Sequence, residues 1–184
     1  MKELLFDTID TEIGSVLLVV DPATHKVCAV DYREYESRMR KLLQRHFGEF
    51  ELKEASNPGN YSELLKAYFQ GDLTALDSIE VSPGGTPFQQ QVWELLRTIP
   101  PATTASYGEL AARLGKPGAA RAVGLANSLN PVAIIIPCHR VIGANASLTG
   151  YAGGLERKRW LLDHEKAHTP GKATAEHAYN LSLW

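Results

Sequence analysis

Ser106 to Leu129 reads SYGELAARLGKPGAARAVGLANSL, and two short helices with a tight turn between them are legible in it. Ser106-Tyr107-Gly108-Glu109 is a capping box, in which a serine and a glutamate three residues on satisfy the first free backbone N–H groups of a helix. Tyr107, Leu110, Ala111 and Leu114 then line one face. Gly115-Lys116 makes the turn, and Pro117 opens a further helix running to about Leu129. The outline is that of a helix-turn-helix. At about 100° per residue, Ala119, Ala122, Ala126 and Leu129 fall together and are expected to pack inward. Arg121, Gly124 and Ser128 fall on another face, smooth except for one long cation. Such a face suits close approach to a DNA groove; it equally suits a helix packed through small residues with one solvated arginine.

Upstream, Thr86-Pro87-Phe88-Gln89 combines a cap, a proline at the first helical position and a capping glutamine. Phe88, Val92, Leu95, Leu96 and Ile99 form the apolar stripe of that helix, and Pro100-Pro101 ends it. Val81-Ser82-Pro83-Gly84-Gly85 reads as a linker. Before it, residues 1–80 read as a small α+β unit. Leu4–Ile9, Val16–Val20 and Lys26–Asp31 are short β-branched or apolar runs punctuated by Gly14-Ser15 and Asp21-Pro22, as in hairpins. Tyr35, Met39, Leu42, Leu43 and Phe47 recur at helical spacing ahead of Gly48. Phe50–Glu54 is a further strand candidate, residues 56–60 form a loop, and Tyr61–Gln70 is a second helix closed by Gly71. Cys28 lies in an apolar strand and reads as a buried small hydrophobe. With only His25 and His46 nearby, this half lacks the ligands for a closed zinc site.

Composition excludes several classes. The 184 residues are 44% hydrophobic and 22% charged, which is ordinary for a soluble globular chain. Apolar runs such as Ala133–Ile136 are far too short to span a bilayer, and the N-terminus lacks the apolar core of a signal peptide. Two cysteines without an export signal lead us to expect free thiols and a cytoplasmic location. The net charge of −2 hides an asymmetry: residues 1–80 carry 9 Lys and Arg against 15 Asp and Glu, and residues 81–184 carry 10 against 6. A surface for a polyanion belongs in the second half.

The chemistry concentrates after that helix pair. Asn130-Pro131 breaks the last helix, and Val132–Ile136 reads as a compact apolar strand. It delivers Pro137-Cys138-His139-Arg140-Val141-Ile142-Gly143 to the edge of a core. A thiol beside a histidine and an arginine is set up for nucleophilic work, because nearby cations favour the thiolate. Neighbours on an extended strand point to opposite faces, so His139 serves Cys138 only if the backbone turns just after Pro137, or through a bridging water. A base also needs an orienting partner. In the helical stretch Leu155–Glu165 the candidates are Glu165, His164 and Asp163. Gly150-Tyr151-Ala152-Gly153-Gly154 is a flexible loop able to offer N–H donors and a phenol to a flat ligand.

These residues resemble the O6-alkylguanine-DNA alkyltransferases, also called methylated-DNA–protein-cysteine methyltransferases. Ile136-Pro137-Cys138-His139-Arg140-Val141 is similar to the family's active-site signature. The resemblance runs over Thr86–Glu165, through residues 106–111, 119–124, Asn130-Pro131, 149–154, 160–162 and His164-Glu165. It implies an α/β chain. A small N-terminal α+β domain with a ribonuclease-H-like arrangement (1–80) and a linker (81–85) would precede a mainly helical DNA-binding and catalytic domain with a winged helix-turn-helix (86–166). The tail, 167–184, resembles nothing. The resemblance further implies that Cys138 is the alkyl acceptor, with His139 as base through a water, Glu165 orienting it and Asn130 bracing the turn. Arg121 would enter the duplex in place of an extruded base, Tyr107 would help rotate the nucleotide, and Gly124 and Ser128 would border the groove. Tyr151, the N–H near Ala152 and the carbonyls of Cys138 and Val141 would hold the base.

The implied partner is double-stranded DNA carrying O6-alkylguanine or O4-alkylthymine, bound by a monomer without metal or organic cofactor and without a membrane. The target carbon is buried in the base stack, so the nucleotide must flip out, and the thioether product allows one turnover. Asn145-Ala146-Ser147 departs from the family, which often has glycine after the asparagine, so this loop is expected to reach positive φ less readily. Residues 125–129 depart as well. Two other readings compete. A thiol hydrolase using Cys138, His139 and Glu165 would turn over repeatedly and leaves Arg121 unexplained. A non-catalytic lesion-sensing module would not need Cys138.

Overall fold

The computed structural model describes residues 1–171; of the expected tail, residues 172–184 lie outside the described residues. The chain divides into two compact units: Met1–Gly85 with Pro131–Ile135, and Thr86–Asn130 with the chain from Ile136 onward.

The first unit is a four-stranded sheet with two helices. Strands β1 (Lys2–Thr11), β2 (Gly14–Asp21) and β3 (Lys26–Tyr32) form an antiparallel meander. Helix α1 (Glu36–Phe47) then crosses over, and β4 (Phe50–Glu54) pairs parallel with β1, giving the order β3-β2-β1-β4. A parallel pair requires such a crossover. Every residue of Val16–Val20 is buried, and a run without polar alternation is what a strand covered on both faces needs. On one side Leu4, Leu17, Val19, Cys28 and Ala29 pack with Met39 and Leu43 of α1. Helix α2 (Tyr61–Phe69) buries Leu65, Tyr68 and Phe69. Cys28 is 1% exposed, its thiol lies 3.5 Å from the Val19 carbonyl, and burial pushes its pKa up to about 12. It has the character of an inert core residue.

Residues 132–136 are not the strand expected. Val132 makes a single parallel bridge to Val30, with the Val30 N–H on the Pro131 carbonyl and the Ala133 N–H on the Val30 carbonyl. The backbone then turns: Ile135 N–H bonds back to the Ala133 carbonyl at 2.8 Å around Ile134, whose φ is +73°. The run is apolar because it is buried, and the tight turn at Ile134 prevents a ladder. Positive φ is strained for a β-branched residue.

In the second unit the two capping boxes form as the sequence indicates. Thr86 accepts the Gln89 N–H and Ser106 accepts the Glu109 N–H, and each partner side chain returns a bond to the cap's own N–H. They open α3 (Pro87–Leu96) and α4 (Tyr107–Arg113). Helix α5 (Ala120–Ser128) starts three residues later than the Pro117 expected. The chain from Lys116 makes a separate turn, in which Ala119 N–H bonds the Lys116 carbonyl, because Pro117 and Gly118 are spent on leaving α4. The buried face of α5 is rotated from the alanine stripe expected: Val123, Ala126 and Asn127 are inside, whereas Ala122 is exposed. One cause is visible on α3, where the indole N–H of Trp93 donates to the Ala126 carbonyl at 2.9 Å. Strand β5 (Ala105–Ser106) pairs parallel with β6 (Val141–Ile142), and α6 (Leu155–Ala167) closes the unit. Among the described residues no helix is long and apolar enough to cross a membrane.

Replacing Trp93 by Phe removes that bond and part of a ring that is 3% exposed. The expected loss is about 1–3 kcal/mol in urea unfolding.

Candidate active site

The chain does not run extended through the adjacent cysteine and histidine. Pro137 has φ −81° and ψ 64°, and the Cys138 N–H bonds the Ile136 carbonyl at 2.8 Å. This is an inverse γ-turn, for which proline's ring sets φ in advance. The chain passes straight into a single helical turn, Cys138–Arg140, closed by the Arg140 N–H on the Pro137 carbonyl. The backbone thus turns where the sequence required it to. Two asparagines hold the turn: Asn130 Nδ2 donates to the Ile136 carbonyl at 2.9 Å and Asn127 Nδ2 to the Cys138 carbonyl at 3.4 Å.

Of the three candidate partners for the histidine, Glu165 is the one in contact. His139 Nε2 lies 2.9 Å from Glu165 Oε2, both side chains being fully buried. Asp163 is exposed and faces Arg159, and His164 stacks on Trp160. Arg140 grips the same carboxylate: Nε donates to Oε1 at 2.9 Å and Nη2 to Oε2 at 2.7 Å, while Nη1 donates to the Ile99 carbonyl at 2.6 Å. Burial pushes the Glu165 carboxyl up, but His139 and the Arg140 fork outweigh it and hold it well below the usual carboxylate range. Burial lowers the His139 pKa below its ordinary value; Glu165 opposes this and the Arg140 and Lys158 charges add to it. With Arg140 already neutralising Glu165, the stable state is a neutral imidazole. Its Nε2–H donates to Glu165, which leaves the Nδ1 lone pair as the acceptor. Nδ1 is buried and has no hydrogen-bond partner; Asn127 Oδ1 is the other such side-chain atom among the described residues. Both belong to residues flanking Cys138, which is 7% exposed.

Lys158, a residue not singled out from the sequence, is fully buried and donates to the Val141 and Thr149 carbonyls. Burial lowers its pKa to about 8, and the charge of Cys138 acts in the opposite sense. Arg140 and Asn127 were likewise not assigned these contacts. A helical wheel drawn from Glu165 would have found Lys158 seven residues earlier on the same face. Nothing in the spacing marks Asn127.

The remaining expected residues divide into two sets. Tyr107, half-buried, donates its hydroxyl to the Thr149 carbonyl at 3.2 Å, and burial with the Cys138 charge raises its pKa, keeping it a donor. A Cβ on Gly124 would stand 3.7 Å from its ring, and one on Gly150 would stand 3.2 Å from its hydroxyl. Tyr151 starts a turn in which the Gly154 N–H bonds its carbonyl; Ala152 is exposed there. The Val141 carbonyl accepts Lys158, with a second lone pair to spare. Arg121 is exposed on α5 and Ser128 turns its hydroxyl onto the Leu125 carbonyl; neither joins the Cys138 cluster. In the departing loop, Asn145 itself takes φ +60°, so the left-handed position falls one residue earlier than a glycine after it would put it. Asparagine tolerates that conformation. Among the described residues no group of three or more His, Cys, Asp and Glu side chains is gathered to hold a metal ion.

Residues 87–167 match the family model for the 6-O-methylguanine DNA methyltransferase, DNA binding domain. The methylated-DNA–protein-cysteine methyltransferase of Salmonella typhimurium is 49% identical over 167 residues, 90% of this chain and 97% of the relative. The O6-methylguanine methyltransferase of Mycobacterium tuberculosis superposes with a TM-score of 0.75 at 42% identity, covering 91% of this chain and 96% of the other. The M. tuberculosis OGT in complex with DNA gives 0.76 at 42% identity over 92% and 96%. With 49% identity over 90% of its length, this chain belongs to the methylated-DNA–protein-cysteine methyltransferase family.

Proposed function

We propose that this protein repairs DNA by direct reversal, transferring the alkyl group of O6-alkylguanine, and of O4-alkylthymine, to its own Cys138 in a single irreversible turnover. The observation that carries this reading is the buried His139–Glu165–Arg140 arrangement next in the chain to Cys138, in which the imidazole keeps an unoccupied acceptor at Nδ1. The relatives carry names for this activity.

The duplex docks on the helix-turn-helix of α4 and α5, which we read as a winged one behind a ribonuclease-H-like N-terminal domain (1–80, linker 81–85, catalytic domain 86–166). The order β3-β2-β1-β4, with β4 parallel to β1, fits that N-terminal arrangement. The protein acts as a monomer. The smooth outer face of α5 enters the minor groove between Gly124 and Ser128, and Arg121 fills the gap left by the flipped nucleotide. Tyr107 aids the rotation. Tyr151, the N–H near Ala152 and the carbonyls of Cys138 and Val141 hold the base, and Asn130 holds the turn.

In the reaction the Cys138 S–H proton passes through a water to His139 Nδ1, and Glu165, held in place by the Arg140 fork, steadies the imidazolium that forms. Sγ attacks the alkyl carbon in line, the carbon–O6 bond breaks, and its electron pair stays with the base. The base regains its amide form by taking one proton, so the proton lost by the thiol is balanced by the proton gained by guanine. The thioether has no leaving group that would restore the thiol. A thiol hydrolase would share the nucleophile, but it makes no use of an exposed Arg121 on a helix-turn-helix.

Incubated with duplex DNA containing O6-methylguanine, the protein gains the mass of one methylene on the Cys138 peptide at about one equivalent. Repeated turnover would exclude the assignment. Cys138→Ala keeps duplex binding and transfers nothing.

The pKa directions set the acid behaviour. His139 binds a proton less readily folded than unfolded, so below its ordinary value of 6.5 the unfolded chain takes up more protons and stability falls. Glu165, depressed when folded, adds a further loss as pH drops through the carboxylate range. The expected result is a urea midpoint that declines from about pH 6.5 downward, with a shallower decline in His139→Gln. The acid limb of the transfer rate falls below 6.5.

A further inference from the structure

One feature of α5 has no part in the roles above. Leu125 is 61% exposed, and the other exposed large hydrophobic residue among the described ones is Met1. A single apolar side chain on a surface is unremarkable by itself; its position gives it meaning. At about 100° per residue, Gly124, Ser128, Arg121, Leu125 and Ala122 occupy one continuous arc of α5, and all five are exposed or half-buried. The arc is nearly devoid of groups that read base edges. Asn127, the one carboxamide on the helix, is turned inward onto the Cys138 carbonyl. Ser128 donates its hydroxyl to the helix's own backbone at Leu125. Two side chains therefore project from a flat surface, a guanidinium and an isobutyl group four residues apart. Residues so spaced stand about 5–6 Å apart on the same face, more than one base step, which is about 3.4 Å.

Major-groove recognition needs donors and acceptors in register with the base edges, and this face offers none beyond Arg121. An apolar side chain beside a cation is instead the equipment of minor-groove proteins that wedge base steps apart. We propose that Leu125 is a second insertion residue, packing in the minor groove against the base step next to the gap entered by Arg121 and keeping the duplex open while the damaged nucleotide is outside it. The inference rests on the reading of α5 as the DNA face. It assigns the two projections different physics. Arg121 answers a vacated space with charge; Leu125 contributes apolar contact, which neither depends on sequence nor releases counterions.

The test compares Leu125→Ala, Leu125→Met and Arg121→Ala with the unaltered protein. Single-turnover methyl transfer is measured from a duplex containing O6-methylguanine and from free O6-methylguanine base, and duplex affinity is measured at several salt concentrations in a Cys138→Ala background. For Leu125→Ala we expect about a tenfold lower rate constant on the duplex at limiting DNA. The free-base rate, the melting midpoint and the slope of log affinity against log salt stay unchanged, because no phosphate contact is lost. Leu125→Met restores most of the rate. An unchanged duplex rate, an equal loss on the free base, or an altered salt slope for Leu125→Ala overturns the proposal. If Arg121→Ala slows duplex repair and Leu125→Ala does not, only the wedge falls. If Arg121→Ala also leaves duplex repair intact, α5 is not the DNA face, and the docking geometry falls with it.

Discussion

Everything at the reactive centre depends on one buried carboxylate. Glu165 takes the Nε2–H of His139 and the fork of Arg140 on the same two oxygens, with no exposure to water. A buried carboxylate without partners would not stay ionised. Arg140 supplies the charge that keeps it so, and the Ile99 carbonyl takes up one more guanidinium N–H. With one full negative charge matched by one full positive charge, the histidine on the same carboxylate stays neutral. Its tautomer is then fixed from behind, and the nitrogen facing away from Glu165 is the basic one. The ion pair therefore decides which imidazole nitrogen is left without a partner.

Helix α5 joins that centre to the surface. Its inner side carries Val123, Ala126 and Asn127; Trp93 fixes the Ala126 carbonyl and Asn127 holds the Cys138 carbonyl. Its outer side carries Arg121 and Leu125. One carboxamide, that of Asn127, joins α5 to the segment that carries Cys138. Lys158 holds the far side of the same segment by the Val141 and Thr149 carbonyls, so the reactive turn is fastened from α5 and from α6.

Much of this was legible in the sequence, where local chemistry and local structure coincide. The two capping boxes, the prolines that bound α3 and the strands of the meander follow from short-range preferences, and they formed where those preferences are strongest. Glu165 could be nominated because a histidine base requires a partner and the helix near residue 165 offered three. Other features depend on which partner wins in three dimensions. The alanine stripe of α5 lost to Val123 because a larger side chain gains more from burial and Trp93 pulls on the neighbouring carbonyl. Val132–Ile136 has the composition of a strand, but burial alone produces that composition; a single bridge at Val132 and a reversed φ at Ile134 are invisible to hydrophobic pattern. Lys158 went unnoticed, and Arg140 was read as a cation beside the thiol rather than as the partner of Glu165, because their acceptors lie far away along the chain.

The excursion of Pro131–Ile135 into the first unit has a consequence for truncation. Between the asparagine that braces the reactive turn and the turn itself, the polypeptide leaves one compact body, lends a few residues to the sheet of the other, and returns. No single cut in the backbone separates the two bodies cleanly, and severing the chain at Gly85 strands Val132, Ala133, Ile134 and Ile135 without the β3 edge they lie against. Such interleaving means that removing the N-terminal half takes away the partner of the segment that leads into Cys138.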